Sequence, residues 1–496
     1  MIATVTTLGD LAQTTGVVVA ALLAAVVLLH TSPRGRAAAM LAALALTPVL
    51  LVANIWSTPQ FEALRERPLV MLVAGGCGLA VLAIGAFAIH RRPELLALGA
   101  AAALPFRIPI EAGGDTANLL LPLYLVIAAG ALAYALPRLR AARGLDDEGP
   151  EEIDHGRGPL EWLLAGAIVL YAAQAAYSSD FDGALAQTIF FYVPFALLYA
   201  LLVRMHWTQQ LAARCLIVLL VLAIAFVGIG FVEYARRELL LNPKVISSNQ
   251  FESYFRVNSL FFDPNIYGRF LATVMLGLAA ILLWCRRPAL AAGASVALVL
   301  LWAGLVLTLS QSSFTALLAG LVVLGALRWG TKRAVGVVAA FAVAGVLVVL
   351  VAPGAVGLEG SADNVSSGRW SLVKGGIELA GERPVQGYGS AAFKTEYREQ
   401  EKASSERASA ASHTIPITVA AEQGLGGLAL YLALVVVAIG TLLRGTRRSV
   451  ARAAVAAAFV ALVVHTLLYA AFLEDPLAWA LLAVGSALAP KREPEP

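Results

Sequence analysis

Residues 354–427, GAVGLEGSADNVSSGRWSLVKGGIELAGERPVQGYGSAAFKTEYREQEKASSERASAASHTIPITVAAEQGLGG, are the longest stretch of this chain that is not hydrophobic. On either side the sequence is a succession of apolar runs. Hydrophobic residues are 59% of the 496 and charged residues 14%, with a mean hydropathy of +0.79. No soluble core of this size needs so many near-continuous apolar runs, so the composition reads as an all-α, polytopic membrane protein. In such a chain a long polar segment is costly to keep without a use.

Working outward, runs of about 20 apolar residues mark candidate spans. Fifteen lie near 12–30, 37–56, 69–89, 95–106, 116–136, 160–177, 184–203, 215–234, 265–284, 289–307, 312–327, 334–352, 424–443, 453–472 and 476–490, the fourth and last being short. Alternate loops carry the basic residues, among them Arg34/Arg36, Arg91/Arg92, Arg286/Arg287, Lys332/Arg333 and Arg447/Arg448. The opposite short loops hold only Arg65, Arg67 and Arg107. By the positive-inside rule the C-terminus is cytoplasmic, and the long segments 235–264 and 353–423 are outside. The expected parts are an N-terminal bundle (1–136), a cytoplasmic Gly/Pro-rich linker (137–159) and a transmembrane core (160–353). The large external loop (354–423) and C-terminal helices (424–490) follow.

Other classes recede on the same facts. The pI near 9.0 comes from dispersed loop residues that membrane topology requires, so no nucleic-acid partner is expected. Cys77, Cys215 and Cys285 are scattered in or beside apolar runs and form neither a metal cluster nor a disulfide framework. The start, MIATVTTLGDLAQTTG, lacks the basic n-region of a cleavable signal. His155 in the linker reads as a solvated loop residue.

Several polar residues lie where the apolar runs break. Arg256 precedes Asp263-Pro264-Asn265, where Pro264 suits a first helical turn and Asp263 can cap it. Arg269, a turn deeper, is too expensive to face lipid. Ser310-Gln311-Ser312-Ser313 reads as an external turn. In the long loop, Asn364 or Ser367 can cap a helix from Arg369, whose Trp370, Val373 and Ile377 share a face. Pro384, Gly387 and Gly389 then end that helix, and the mixed charges of 394–407 read as a solvated lid. His413 opens the next helix, with Pro416 in its first turn. Glu422 is either a packing residue or a partner for an arginine, and Glu474 and Asp475 are candidate partners for an external arginine. Asp180-Phe181-Asp182 is an Asp-x-Asp pair of the kind that binds a divalent metal.

Taken in order, SGRW at Arg369, ERPVQGYGSAAF, and SHTIPITVAAEQGLGG with His413 and Glu422 resemble the signature of the O-antigen ligase and polymerase family. The resemblance is specific from about 250 to 480 and topological before that. It implies a GT-C-like fold of about 12–15 transmembrane helices in the cytoplasmic (inner) membrane. It also implies a metal-independent, inverting glycosyltransferase without cofactor. The donor would be a glycan on a polyprenyl pyrophosphate, and the acceptor a hydroxyl of a glycan or lipid on the extracytoplasmic face. Arg256 and Arg369 would hold the pyrophosphate, with His413 as base. The family often has Ser-Arg where this chain has Ser310-Gln311, so either another cation such as Arg269 or Lys374 replaces the missing one, or that arginine was never essential. The alternatives are a transporter or flippase for lipid-linked sugars, or a metal-dependent transferase.

The charge pattern makes residues 354–423 extracytoplasmic. Cysteines placed at Ser366 and Ser404 are expected to react with a membrane-impermeant thiol reagent in intact cells; labelling only after lysis inverts the topology.

Overall fold

The computed structural model describes residues 8–55, 67–112, 115–141, 157–240, 255–336, 369–401, 414–469 and 471–489. Helices dominate: α1 (Leu8–Leu29), α2 (Pro33–Ile55), α3 (Pro68–Arg91), α4 (Glu94–Ala103), α5 (Leu121–Ala141) and α6 (Pro159–Ala175). Next, α7 (Phe181–Gln187), a π-helical turn (Thr188–Tyr192) and α8 (Val193–Val203) run on as one apolar stretch. The series continues with α9 (Gln209–Arg236), α10 (Pro264–Trp284), α11 (Pro288–Thr308) and α12 (Gln311–Trp329). It closes with α13 (Arg369–Glu382), α14 (Phe393–Glu401), α15 (Ile415–Leu443), α16 (Val450–Thr466) and α17 (Pro476–Ala487).

Among the described residues ten helical stretches are long and apolar enough to cross a membrane. The chain is a polytopic, all-α membrane protein. The shorter apolar helices α4, α6, α16 and α17 occupy four further expected spans, and most of the span expected over 334–352 lies outside the described residues. So do the capping candidates Asn364 and Ser367, and His155. Exposed apolar side chains such as Leu69, Leu72, Leu79 and Phe87 along α3 need no protein partner in hydrocarbon.

One small departure from pure helix precedes α5. Strands β1 (Ile108–Ala112) and β2 (Asp115–Leu119) pair antiparallel. The span expected from 116 therefore starts at Leu121 instead. The β-branched residues Ile108, Ile110 and Thr116 ahead of the apolar run of α5 favour paired strands over a helical turn.

The chain divides into two compact units. The first holds residues 1–219 with 389–392 and 473–487, and the second holds 220–388 with 393–472 and 488–496. The first unit's interior is built largely from small residues: Ala20, Ala21 and Ala24 of α1 are buried, with Ala196 and Ala200 of α8 and Ala483 of α17. Small side chains let helix backbones approach closely where dispersion, rather than exclusion of water, must hold them together. Within the π-turn there, the Phe190 carbonyl takes a hydrogen bond from the Tyr124 hydroxyl at 2.8 Å.

In the second unit α10 is the central helix, buried along most of its length. Close approach is again local. A Cβ on Gly320 of α12 would lie 2.4 Å from Leu276 of α10, and one on Gly268 of α10 2.6 Å from the Ser313 hydroxyl. The connection from α15 to α16 is closed by buried Arg452, whose guanidinium donates to the carbonyls of Arg444 and Thr441. Those carbonyls stand at a helix end that has no intrahelical donors left. Arg452→Met keeps much of the volume but removes the donors. It is expected to lower stability by about 1–3 kcal/mol, read as a lower unfolding midpoint in detergent; an unchanged midpoint would mean the carbonyls are satisfied otherwise.

Candidate functional site

Three helix ends meet around Arg256 in the second unit. α11 ends at Thr308, and Leu309 takes a left-handed conformation (φ 49°) that turns the chain into α12. The Arg256 side chain donates through Nε to the Thr308 carbonyl at 2.9 Å, and the Val257 amide donates to the Leu307 carbonyl at 3.2 Å. Arginine thus satisfies the electronegative end of one helix. The other two ends are N-termini. Asp263 caps α10, accepting the Asn265 amide at 2.6 Å, and Ser310 caps α12, accepting the Ser313 amide at 3.2 Å. Such ends favour negative charge beside them.

The segment that carries Arg256 is held from α9. Buried Glu233 accepts the backbone amides of Ser259 (2.8 Å), Asn258 (3.3 Å) and Leu240 (3.2 Å). A carboxylate in an apolar run is tolerated where several donors converge on it. Ser259 has φ 54°, so this chain reversal is strained as well as anchored.

Beside Arg256 lies a buried polar cluster. Asn265 Oδ1 accepts from Arg256 Nη2 (3.2 Å) and from the Ser310 hydroxyl (2.8 Å). Ser310 Oγ lies 2.7 Å from Ser313 Oγ and 3.1 Å from Ser312 Oγ, and those two lie 3.4 and 3.2 Å from Nε2 of fully buried His465. Ser310–Ser313 is therefore no plain external turn. Three of its residues are buried, and only Gln311 points outward. At the start of the next turn the Tyr469 hydroxyl donates to Asp263 Oδ2 at 3.0 Å.

The signature turn meets α15 backbone to backbone. Gly424 interrupts α15 with φ 66°, ψ −169°, and the Leu425 amide donates to the Pro384 carbonyl at 2.8 Å. In return the Tyr388 amide donates to the Ala421 carbonyl at 3.0 Å. A Cβ on Gly424 would fall 2.2 Å from the Val385 carbonyl oxygen, and one on Gly387 (φ 67°) 2.2 Å from that of Glu422. Only glycine fits at either place. Glu422 Oε1 accepts the Phe393 amide at 3.2 Å, so its carboxylate helps hold the loop that follows. In the first unit the neighbouring residues are also fixed. Ser390 Oγ donates to the Tyr171 carbonyl at 2.7 Å, and Ser178 Oγ to the Ser390 carbonyl at 2.6 Å.

The expected site residues fall out unevenly. Arg269 is buried on α10, as its cost in lipid requires. Lys374 is exposed on α13, 3.9 Å from Glu378. His413 lies outside the described residues, and Arg369 is described only as the start of α13. Two faces differ from expectation. α13 buries Leu372, Gly375, Gly376 and Leu379 rather than Ile377, because the glycines let Tyr397, Phe393 and Ile417 come close. Residues 393–401 form a helix anchored by buried Phe393 and Tyr397, stacked at 5.8 Å, and not a solvated lid; 402–407 lie outside the described residues. In the first unit Asp180 caps α7 through the Gly183 amide, while Asp182 accepts from Asn54 at 3.0 Å. Asp475 caps α17, and burial pushes the Glu474 carboxyl up to about 7 while Arg107 pulls it back.

Glu233, His465 and Tyr469 were missed from the sequence. Their signal was a single polar group inside or just after an apolar run, which membrane proteins seldom keep without a use.

Residues 296–432 match the family model described as O-antigen ligase. No curated protein and no solved structure matches the chain.

The paired glycines make a sharp expectation. Gly424→Ala or Gly387→Ala is expected to cost more than about 2 kcal/mol, lowering the unfolding midpoint of the detergent-solubilised protein. Gly426→Ala, with open space at its Cβ, is expected to leave the midpoint unchanged. Equal behaviour of all three would deny the backbone junction.

Proposed function

We propose that this chain, whose residues 296–432 match the family model described as O-antigen ligase, is a membrane ligase or polymerase of polysaccharide assembly that transfers a glycan from a polyprenyl pyrophosphate to an acceptor hydroxyl. The transfer takes place on the extracytoplasmic face of the cytoplasmic membrane, within a large external loop (354–423) and the transmembrane core beneath it. It inverts the anomeric centre and needs no metal. Arg256 and Arg369 hold the pyrophosphate, Arg269 adds a buried positive charge, and His413 takes the acceptor's proton.

The observation that carries this reading is the placement of Arg256 where the N-termini of α10 and α12 converge. A guanidinium between two helix N-termini adds fixed positive potential there, offset in part by the Asp263 carboxylate that caps α10. That setting stabilises charge developing on a pyrophosphate leaving group without reorganisation at the moment of reaction. A histidine with an ordinary pKa near 6.5 supplies a neutral base at physiological pH, and cationic neighbours favour that neutral form. Lys374, exposed and beside Glu378, has the weaker claim to substitute for the family's missing arginine.

Charge and proton transfer are thereby assigned to different residues, which kinetics can separate. Arg256→Ala and Arg369→Ala are expected to weaken donor binding by about ten- to a hundredfold, the worth of a charge-assisted contact. His413→Ala is expected to bind lipid-linked glycan nearly normally and to transfer it about 10²–10⁴ times more slowly. A folded His413→Ala protein with near-normal turnover would remove the proposed base. Chelation that stops turnover, together with loss of activity in Asp180→Asn, would favour the metal-dependent mechanism.

A further inference from the structure

The short segment from His465 to Tyr469 touches three separate parts of the second unit. Through Nε2 of His465 it reaches the Ser312 and Ser313 hydroxyls, which lead by Ser310 to Asn265 Oδ1 and so to Arg256. Through the Tyr469 hydroxyl it holds the Asp263 carboxylate that caps α10. Through the Leu467 carbonyl it accepts the Thr414 hydroxyl at 3.1 Å, at the N-cap of α15. Thr414 is the residue after His413 in the sequence. The His465 and Tyr469 rings themselves meet edge to face at 5.6 Å.

Proton counts fix one end of this hydrogen-bond chain. Arg256 only donates, so the atom of Asn265 that faces it is the carbonyl oxygen, and Ser310 must spend its single proton there. Ser310 then accepts from Ser312 or Ser313. Ser313 Oγ can also donate to the Asn265 backbone carbonyl at 3.1 Å, and His465 Nε2 meets Ser312 and Ser313 as donor or acceptor according to its tautomer. The cluster is a continuous chain from His465 to Asn265 Oδ1, the oxygen to which the Arg256 guanidinium also donates. Ser310, Ser312, Ser313 and His465 are all fully buried, where an unmet donor or acceptor is expensive, so the chain has few other arrangements.

We propose that the His465–Tyr469 segment is a positioning element. It sets the anion-binding side of the site, Asp263 to Asn265 with Arg256, in register with the helix entrance at Thr414. His465 and Tyr469 are positioning residues, not catalytic ones, since each acts through another side chain. The proposal rests on the reading of Arg256 as a pyrophosphate ligand. Transfer between two held groups depends on their separation far more steeply than the binding of either does. Loosening the segment therefore costs rate before it costs affinity.

The test uses the full-length protein in lipid nanodiscs. Undecaprenyl pyrophosphate is the binding probe, and lipid-linked glycan extracted from the producing cells is the transfer substrate. Tyr469→Phe and His465→Phe keep ring and volume and remove only the polar contact. The double variant is expected to lower kcat by about tenfold or more, with probe affinity within about threefold of the parent. His465→Gln, which restores an amide able to donate or accept at nearly the same place, is expected to recover most of the rate. If His465→Phe does not fold, Ser312→Ala/Ser313→Ala breaks the same chain with smaller side chains and carries the same expectation. Folded variants with parental kcat overturn the proposal. So does a loss of probe affinity equal to the loss of rate, or a His465→Gln protein no better than His465→Phe. Arg256→Ala in parallel separates the two readings: parental affinity in that variant sinks the pyrophosphate reading and this inference together. Weakened affinity there, with unaffected segment variants, sinks this inference alone.

Discussion

Two backbones lie against each other without an intervening side chain where the turn after α13 meets the break in α15. A methyl group at Gly387 or Gly424 would sit 2.2 Å from a carbonyl oxygen of the opposite strand, so the junction exists only with glycine on both sides. The interruption of α15 at Gly424 releases backbone groups that would otherwise be unpaired near hydrocarbon. The turn takes them up, with the Leu425 amide on the Pro384 carbonyl and the Tyr388 amide on the Ala421 carbonyl. The loop that follows Ala392 is then tied to the same helix by Glu422 through the Phe393 amide. The Pro-x-x-Gly-x-Gly turn and the Glu-x-Gly-x-x-Gly run are two halves of one joint.

Helix ends shape the electrostatics around Arg256. Arg256 closes the carbonyl end of α11 while facing the amide ends of α10 and α12, each already capped by a short polar side chain. Neutral side chains also hold it, with Asn265 Oδ1 accepting from Nη2 and Ser310 donating to that same oxygen. The polar groups that do this are contributed by residues of small volume, serine and asparagine, which fit among close-packed helices without opening the bundle. Burial makes each of them consequential, since few other donors are within reach.

Much of the fold could be read directly. Unbroken apolar runs have one physical solution in lipid, and Pro264, Pro288 and Pro416 stand at or beside helix starts where their missing amide costs nothing. The hairpin at 108–119 was not legible because the apolar stretch beyond it swamped a short, weak strand signal. The packed face of α13 was misjudged for a related reason. Hydrophobic spacing marks Val373 and Ile377, but contact was decided by Gly375 and Gly376, which carry no hydropathy signal and act by absence. His465 escaped notice as one polar residue in an alanine-rich helix, without a neighbouring motif to point to it. Glu422 was legible as a choice between two roles, and its bond to the Phe393 amide adds weight to the packing one.

The joint between Pro384 and Gly424 also sets how this part of the chain can change. Neither half has room for a side chain at its glycine, so a substitution in one cannot be offset by a smaller residue in the other. Two segments far apart in sequence must therefore change together at this point or not at all.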